Sequence, residues 1–134
     1  MSESALNLGD LEIAVLEQLW ASGQMDARAM HQRVCSSRRI SLSTVQSALE
    51  RLYRKGLLVR EKVSHAYVYA PRVARDEVMA RLVEAALDRF DGRQTDGLLA
   101  AFAGYAEHAD EVTLDRLERL IAERKAALSE RDDA

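Results

Sequence analysis

The chain reads as a mainly α-helical protein carrying one small β wing, and three observations predict it. Apolar residues recur at helical spacing in three successive stretches before Gly56. Between residues 58 and 70 the pattern changes to two short runs rich in β-branched and aromatic side chains. From Arg75 onward helical spacing returns, now in an acidic background. Three helices followed by a hairpin is the order of a winged helix-turn-helix domain. The expected division is therefore residues 1–72 as that domain and residues 73–134 as a second, helical one.

Each element has a local reason. Residues 1–8 form a polar tail expected to fray. Leu11, Val15, Leu16, Leu19 and Trp20 place a first helix at residues 10–21, with Asp10 as cap or as a favourable first-turn charge. Ser22-Gly23 ends it, and Gln24-Met25 forms a short extended link. Asp26 caps a second helix over roughly residues 27–36, with Ala29, Met30 and Val34 inward. Ser36-Ser37-Arg38-Arg39 is a polar, basic turn. The third helix begins at Ser41. Ser43 with Gln46 would also fit a capping box, but Ser41 as cap lets Ile40 staple onto Val45, whereas Leu42 would meet Ser47. Val45, Ala48, Leu49 and Leu52 form its inner stripe, and Gly56 ends it in the left-handed region.

Leu58–Val63 and Ala66–Ala70 are the two strands, joined at Ser64-His65, and Pro71 marks the exit. The turn lacks Gly or Asn-Gly, so its type is open. Val78, Leu82, Ala85, Ala86 and Phe90 give the next helix, up to Asp91-Gly92. Gly97, or the residues just before it, opens a short helix with Leu98, Leu99, Phe102 and Tyr105. Thr113 caps a last one with Leu114, Leu117, Leu120, Ile121 and Leu128, and residues 129–134 fray. These three helices are too few for an independent core. A second copy is the simplest cover for their apolar faces, so a homodimer is expected.

At 134 residues and 48% apolar content, the chain can bury a core. One cysteine, Cys35, excludes an internal disulfide and fits a reducing compartment. No stretch is long and apolar enough for membrane insertion, and the start is not signal-like, so a cytoplasmic location is expected. Net charge is −3, which alone argues against a polyanionic partner. Its distribution reverses that reading. Residues 28–62 hold nine Lys or Arg and two acids, a balance of +7, while residues 71–134 hold ten bases and fifteen acids, a balance of −5. The basic segment coincides with the second helix through the wing, the part of such a domain that meets DNA.

Candidate DNA-contacting residues follow from that placement. Thr44, Gln46 and Ser47, with Ser43, lie on the open side near the start of the third helix, where short polar groups reach base edges. Ser41 offers a cap and a backbone N–H for phosphate. Arg39, Arg51 and Arg54 would meet phosphates. Glu50 on that side would repel them unless it accepts from cytosine or pairs with Arg54 four residues on. Lys62 and His65, with Ser64, sit at the wing tip, whereas Tyr67 and Tyr69 read as packing residues. The expected partner is thus double-stranded DNA, the alternatives being a winged helix used for protein–protein contact and a ligand- or redox-gated regulator without proteolytic induction. Cofactors are not expected. His31 and Cys35 share a helix face but two ligands make no structural zinc site, and Cys35 is expected to be a buried or half-buried thiol. No catalytic constellation is present, so the protein is not expected to be an enzyme.

The residues also carry a family resemblance. Leu8–Trp20 resembles the opening helix of the penicillinase-repressor (BlaI/MecI) family, Ser41–Val45 and Arg51–Leu57 its recognition helix, and Tyr67–Pro71 with Arg75-Asp76-Glu77 its wing exit. The similarity runs from about residue 6 to 128. It implies a dimeric winged-helix repressor on operators of antibiotic-resistance or related genes, induced through a membrane sensor-protease that leads to repressor cleavage in the dimerisation domain. The equivalent bond is Ala101-Phe102, with alanine where the best-known members carry asparagine. The cysteine cluster of the copper-responsive branch has no counterpart. Ser43 and Gln46 stand where the β-lactamase repressors carry basic residues, which implies a different operator.

Overall fold

The computed structural model describes residues 6–36, 38–90 and 95–133. The outermost residues of both tails (1–5 and Ala134), Ser37 of the basic turn and the Asp91-Gly92 stop lie outside the described residues. The elements run α1 (Asp10–Ser22), β1 (Met25–Asp26), α2 (Ala27–Val34), α3 (Leu42–Arg54), β2 (Leu58–Val63), β3 (Ala66–Pro71), α4 (Arg75–Asp88), α5 (Thr95–Ala106) and α6 (Glu111–Asp133). The order and type of the expected elements are borne out.

The extended link at Met25 turns out to be a strand. It pairs antiparallel with β3, Met25 opposite Tyr69, and completes a sheet of order β1-β3-β2. The β2–β3 hairpin places Val63 opposite Ala66 and Arg60 opposite Tyr69. Its two-residue turn carries a positive φ of 58° at Ser64, the first central position, as a type II′ turn requires.

Both ends of α3 form as expected. Ser41 Oγ accepts the Thr44 backbone N–H at 3.2 Å, and Ile40 packs against the core cluster that contains Val45. At the other end Gly56 has φ 81°, and its N–H donates to the Tyr53 carbonyl at 3.0 Å. The Leu57 N–H donates to the Leu52 carbonyl at 3.1 Å, which makes this a Schellman stop, and Leu52 and Leu57 are both fully buried.

The core of the first unit joins Val15, Leu16 and Leu19 of α1 to Met30 of α2, Val45, Leu49 and Leu52 of α3, and Leu58 and Tyr69 of the sheet. Fully burying one such aliphatic side chain stabilises by roughly 1.5–3 kcal/mol. Trp20 seals the edge, its Nε1–H donating to the Val73 carbonyl at 2.9 Å.

Several local expectations are corrected. Residues 6–8 are not frayed: Leu6 and Leu8 pack on the core, and the Asn7 carbonyl accepts Lys55 Nζ at 2.6 Å. Gly9 is the N-cap of α1, the Glu12 carboxylate reaching back to its N–H at 2.8 Å, and Asp10 takes the other of its two expected places, as a first-turn charge. Helix α2 ends at Val34, so Cys35 falls beyond its inward face and is exposed. Helix α6 starts at Glu111 because Asp110 Oδ1 accepts the Thr113 N–H at 2.8 Å, and Asp110, not Thr113, is the cap. It also continues through Ser129 to Asp133, a stretch without Gly or Pro to stop it.

The chain divides into two compact units, Met1–Arg89 and Phe90–Ala134. Helix α4 thus falls in the first compact unit. Val78 and Leu82 pack α4 on the first core, and Arg75 Nε donates to Glu17 Oε1 at 2.9 Å. In the second unit, Leu98, Leu99 and Phe102 of α5 and Leu120, Ile121 and Leu128 of α6 are exposed in the single chain.

Candidate nucleic-acid interface

The open side of α3 is the candidate surface. Behind it, Val45, Ala48, Leu49 and Leu52 are each fully buried, so the helix is fixed from its inner side. In front, Ser43, Thr44, Gln46, Ser47, Arg51 and Arg54 are exposed. Ser41 Oγ also meets Thr44 Oγ1 at 2.9 Å and Ser43 Oγ at 3.1 Å, which gathers three hydroxyls at the helix start. The preceding turn is held by His31, whose Nε2–H donates to the Ile40 carbonyl at 2.8 Å.

A shallow groove runs between α3 and the wing, lined by Ser43, Gln46, Ser47, Glu50, Arg51, Arg54, Tyr67 and Tyr69. Sequence-expected positions are thus brought together there, and the exposed Arg39 lies in the turn just before α3. Lys62 and His65 are exposed on the wing, Lys62 Nζ lying 6.0 Å from the Tyr67 ring centre. Ala101 and Phe102 belong to the chain's second unit, both exposed within α5.

Two residues not singled out in the sequence organise the site. Glu12 of α1 is 5% exposed and accepts Lys55 Nζ at 3.0 Å and Arg51 Nε at 3.4 Å. Burial pushes its carboxyl up, but the Gly9 N–H, Lys55 and Arg51 together hold it below its ordinary value. Arg51 is therefore anchored to α1 as well as facing outward. The signal was Gly9-x-x-Glu12, half of a capping box.

The second is Arg60 of β2. Its guanidinium sits 4.0 Å from the centre of the Tyr53 ring and 4.1 Å from that of Tyr67, within cation–π range of both. It also pairs with Glu50, which in turn accepts Arg54 Nε at 3.0 Å. The Arg60 hydrogen bond and charge, followed by those of Arg54, hold the Glu50 carboxyl below the usual range. The two-residue turn would have put Arg60 opposite Tyr69. Tyr69 is buried as a packing residue, whereas Tyr67 is partly exposed and stacks on Arg60.

Among the described residues no group of three or more His, Cys, Asp or Glu is gathered, and no helix is long and apolar enough to cross a membrane. The open side of α3 thus presents hydroxyl, amide and guanidinium groups together.

Comparison with known proteins agrees. The family model described as penicillinase repressor matches residues 8–123. A transcriptional regulator BlaI of Mycobacterium tuberculosis is 32% identical over 128 residues, covering 95% of this chain and 91% of that protein. A penicillinase repressor of Staphylococcus aureus is 20% identical over 103 residues, covering 77% of this chain and 82% of that protein. The solution structure of the DNA-binding domain of the repressor BlaI has a TM-score of 0.50 at 22% identity, covering 57% of this chain and 93% of that one, and so shares the fold. On the match over residues 8–123 and the near full-length relative, the chain belongs to the penicillinase-repressor family of transcriptional regulators.

Proposed function

We propose that the chain is a homodimeric, sequence-specific DNA-binding repressor of antibiotic-resistance or stress-related genes, acting in the cytoplasm. The observation that carries this reading is the outer side of α3, where Ser43, Thr44, Gln46 and Ser47 stand exposed on a helix whose inner side is fully buried. Names of relatives, a penicillinase repressor among them, support the class of target. Two copies of α3 would enter successive major grooves about 34 Å apart, with Arg39, Arg51, Arg54, Lys62 and His65 against the backbone. The exposed apolar residues of α5 and α6 support pairing of two copies. A bound dimer would block polymerase, and residues 1–72 and 73–134 divide the work between reading and pairing. Release would follow cleavage near Ala101-Phe102 by a membrane sensor-protease, or a ligand or redox change that alters half-site spacing.

Gln46 bonds adenine bidentately where a basic residue prefers guanine, so the operator differs from that of the β-lactamase repressors. Site selection from random duplexes, followed by fluorescence anisotropy, tests both points. A twofold-symmetric consensus is expected, with affinity falling on the order of a thousandfold between about 50 and 200 mM salt. Salt-insensitive binding, or no symmetric consensus, would overturn DNA recognition. Recovery of the β-lactamase operator would overturn the role of Gln46.

A further inference from the structure

Glu50 is the only acid on α3, and it stands on the side that the preceding reading turns toward DNA. Judged by charge alone, it weakens that surface. Its contacts say otherwise. One carboxylate oxygen accepts from Arg60 Nη1 and the other from Arg54 Nε at 3.0 Å. The Arg60 side chain is only 20% exposed and is clamped between Tyr53 of α3 and Tyr67 of β3. Three elements thus fix the far end of this chain of contacts. At the near end the Arg54 side chain is 76% exposed and bonded through Nε alone. Among the described residues its two terminal nitrogens have no partner. A guanidinium held by Nε keeps its outer edge free for a bidentate pair with phosphate or guanine.

We propose that Glu50, braced by Arg60, is a positioning residue that holds Arg54 with its free guanidinium edge toward DNA, and so strengthens binding despite its negative charge. The proposal rests on the DNA-binding reading. Part of the entropy of ordering a long arginine is met before DNA arrives, because the carboxylate already restricts its rotamers. Arg60 also offsets the charge of Glu50, so the pair with Arg54 need not repel the backbone. Since Glu50 is held below the usual carboxylate range, it stays ionised at neutral pH and the clasp persists there.

Plain electrostatics and positioning predict opposite signs for Glu50→Gln, which makes the test decisive. Full-length protein is titrated with its selected operator duplex by anisotropy over a series of salt concentrations. Glu50→Gln is expected to bind about tenfold more weakly, and the salt slope to fall by about one per half-site, as is also expected for Arg54→Ala. In the Arg54→Ala background, Glu50→Gln should change affinity less than about twofold. Arg60→Met should weaken binding in the same direction. Side-chain NMR of free protein gives a readout independent of DNA: the Arg54 Nε–H should become more mobile in both Glu50→Gln and Arg60→Met. Glu50→Gln that binds as tightly as the parent or more so, or that loses as much without Arg54 as with it, would overturn the proposal, as would an unchanged Arg54 Nε–H. If the parent protein binds no duplex specifically, the DNA-binding reading fails and this one fails with it.

Discussion

Glu12 joins α1 to the C-terminal end of α3 through a nearly buried charge. Its carboxylate faces a backbone N–H, a lysine and an arginine, of which Lys55 and Arg51 keep 33% and 53% of their side chains exposed. Charged hydrogen bonds of this kind are worth roughly 1.5–3 kcal/mol when dry, and solvent at the two cations reduces that. Glu12→Gln is therefore expected to lower stability by about 1–2 kcal/mol at pH 7. The folded carboxyl lies below its ordinary value of 4.5, so its stabilisation is present above that value and is lost as pH falls through the folded one. Urea denaturation at a series of pH values should show the gap between parent and variant closing below about pH 4.5. A gap that stays constant down to pH 3 would contradict the assignment. Only half of this role was legible in the sequence. The Gly9 contact is three residues away, but Arg51 and Lys55 are 39 and 43 residues away. Nothing local ties them to Glu12, which is why Arg51 read as a phosphate contact alone.

Elements were legible where their boundaries are set by neighbours in sequence. The start and stop of α3 depend on Ser41, Ile40 and Gly56, and all three act within about a turn of the helix end. Strand β1 was not legible as a strand, because two residues form one only by pairing with β3, more than forty positions later. The cap of α6 was displaced by three residues because Asp110 and Thr113 are both good caps, and the backbone N–H that needs an acceptor belongs to Thr113 itself. Ser41 gives a test that separates fold from recognition. Ser41→Ala removes the acceptor for the Thr44 N–H and should cost about 1 kcal/mol in thermal denaturation. Ser41→Asp keeps a good cap and complements the helix dipole, so its melting should stay within about 0.5 kcal/mol of the parent. On the proposed DNA-binding side, however, its added charge should lower operator affinity at least about tenfold. An aspartate variant that binds normally would remove the N-terminus of α3 from the interface.

Across the whole molecule, the charge asymmetry read from the sequence maps onto the fold, with the basic residues on α2, α3 and the wing and the acidic balance in the later helices. The division between units was less legible, since the packing of Val78 and Leu82 on the first core has no sequence signal that distinguishes it from packing among the later helices. The apolar side chains left open on α5 and α6 bear on the proposed dimer. In a monomer, Ile121 is half exposed, and Ile121→Asp should alter stability by no more than about 0.5 kcal/mol and leave assembly unchanged. In a dimer built on α6, a buried unpaired carboxylate appears twice across the twofold axis and the complex should come apart. Sedimentation equilibrium of the parent is expected to give twice the 15.0 kDa chain mass, and that of Ile121→Asp to approach the single value. Linking two half-site readers raises affinity by about 10²–10⁴ over one. The variant should therefore lose about that factor on a duplex with both half-sites and almost nothing on a duplex with one. A parent that sediments at 15.0 kDa would reject the dimer. Equal losses on both duplexes would instead place Ile121 in the fold of the reading unit, against the division at Arg89.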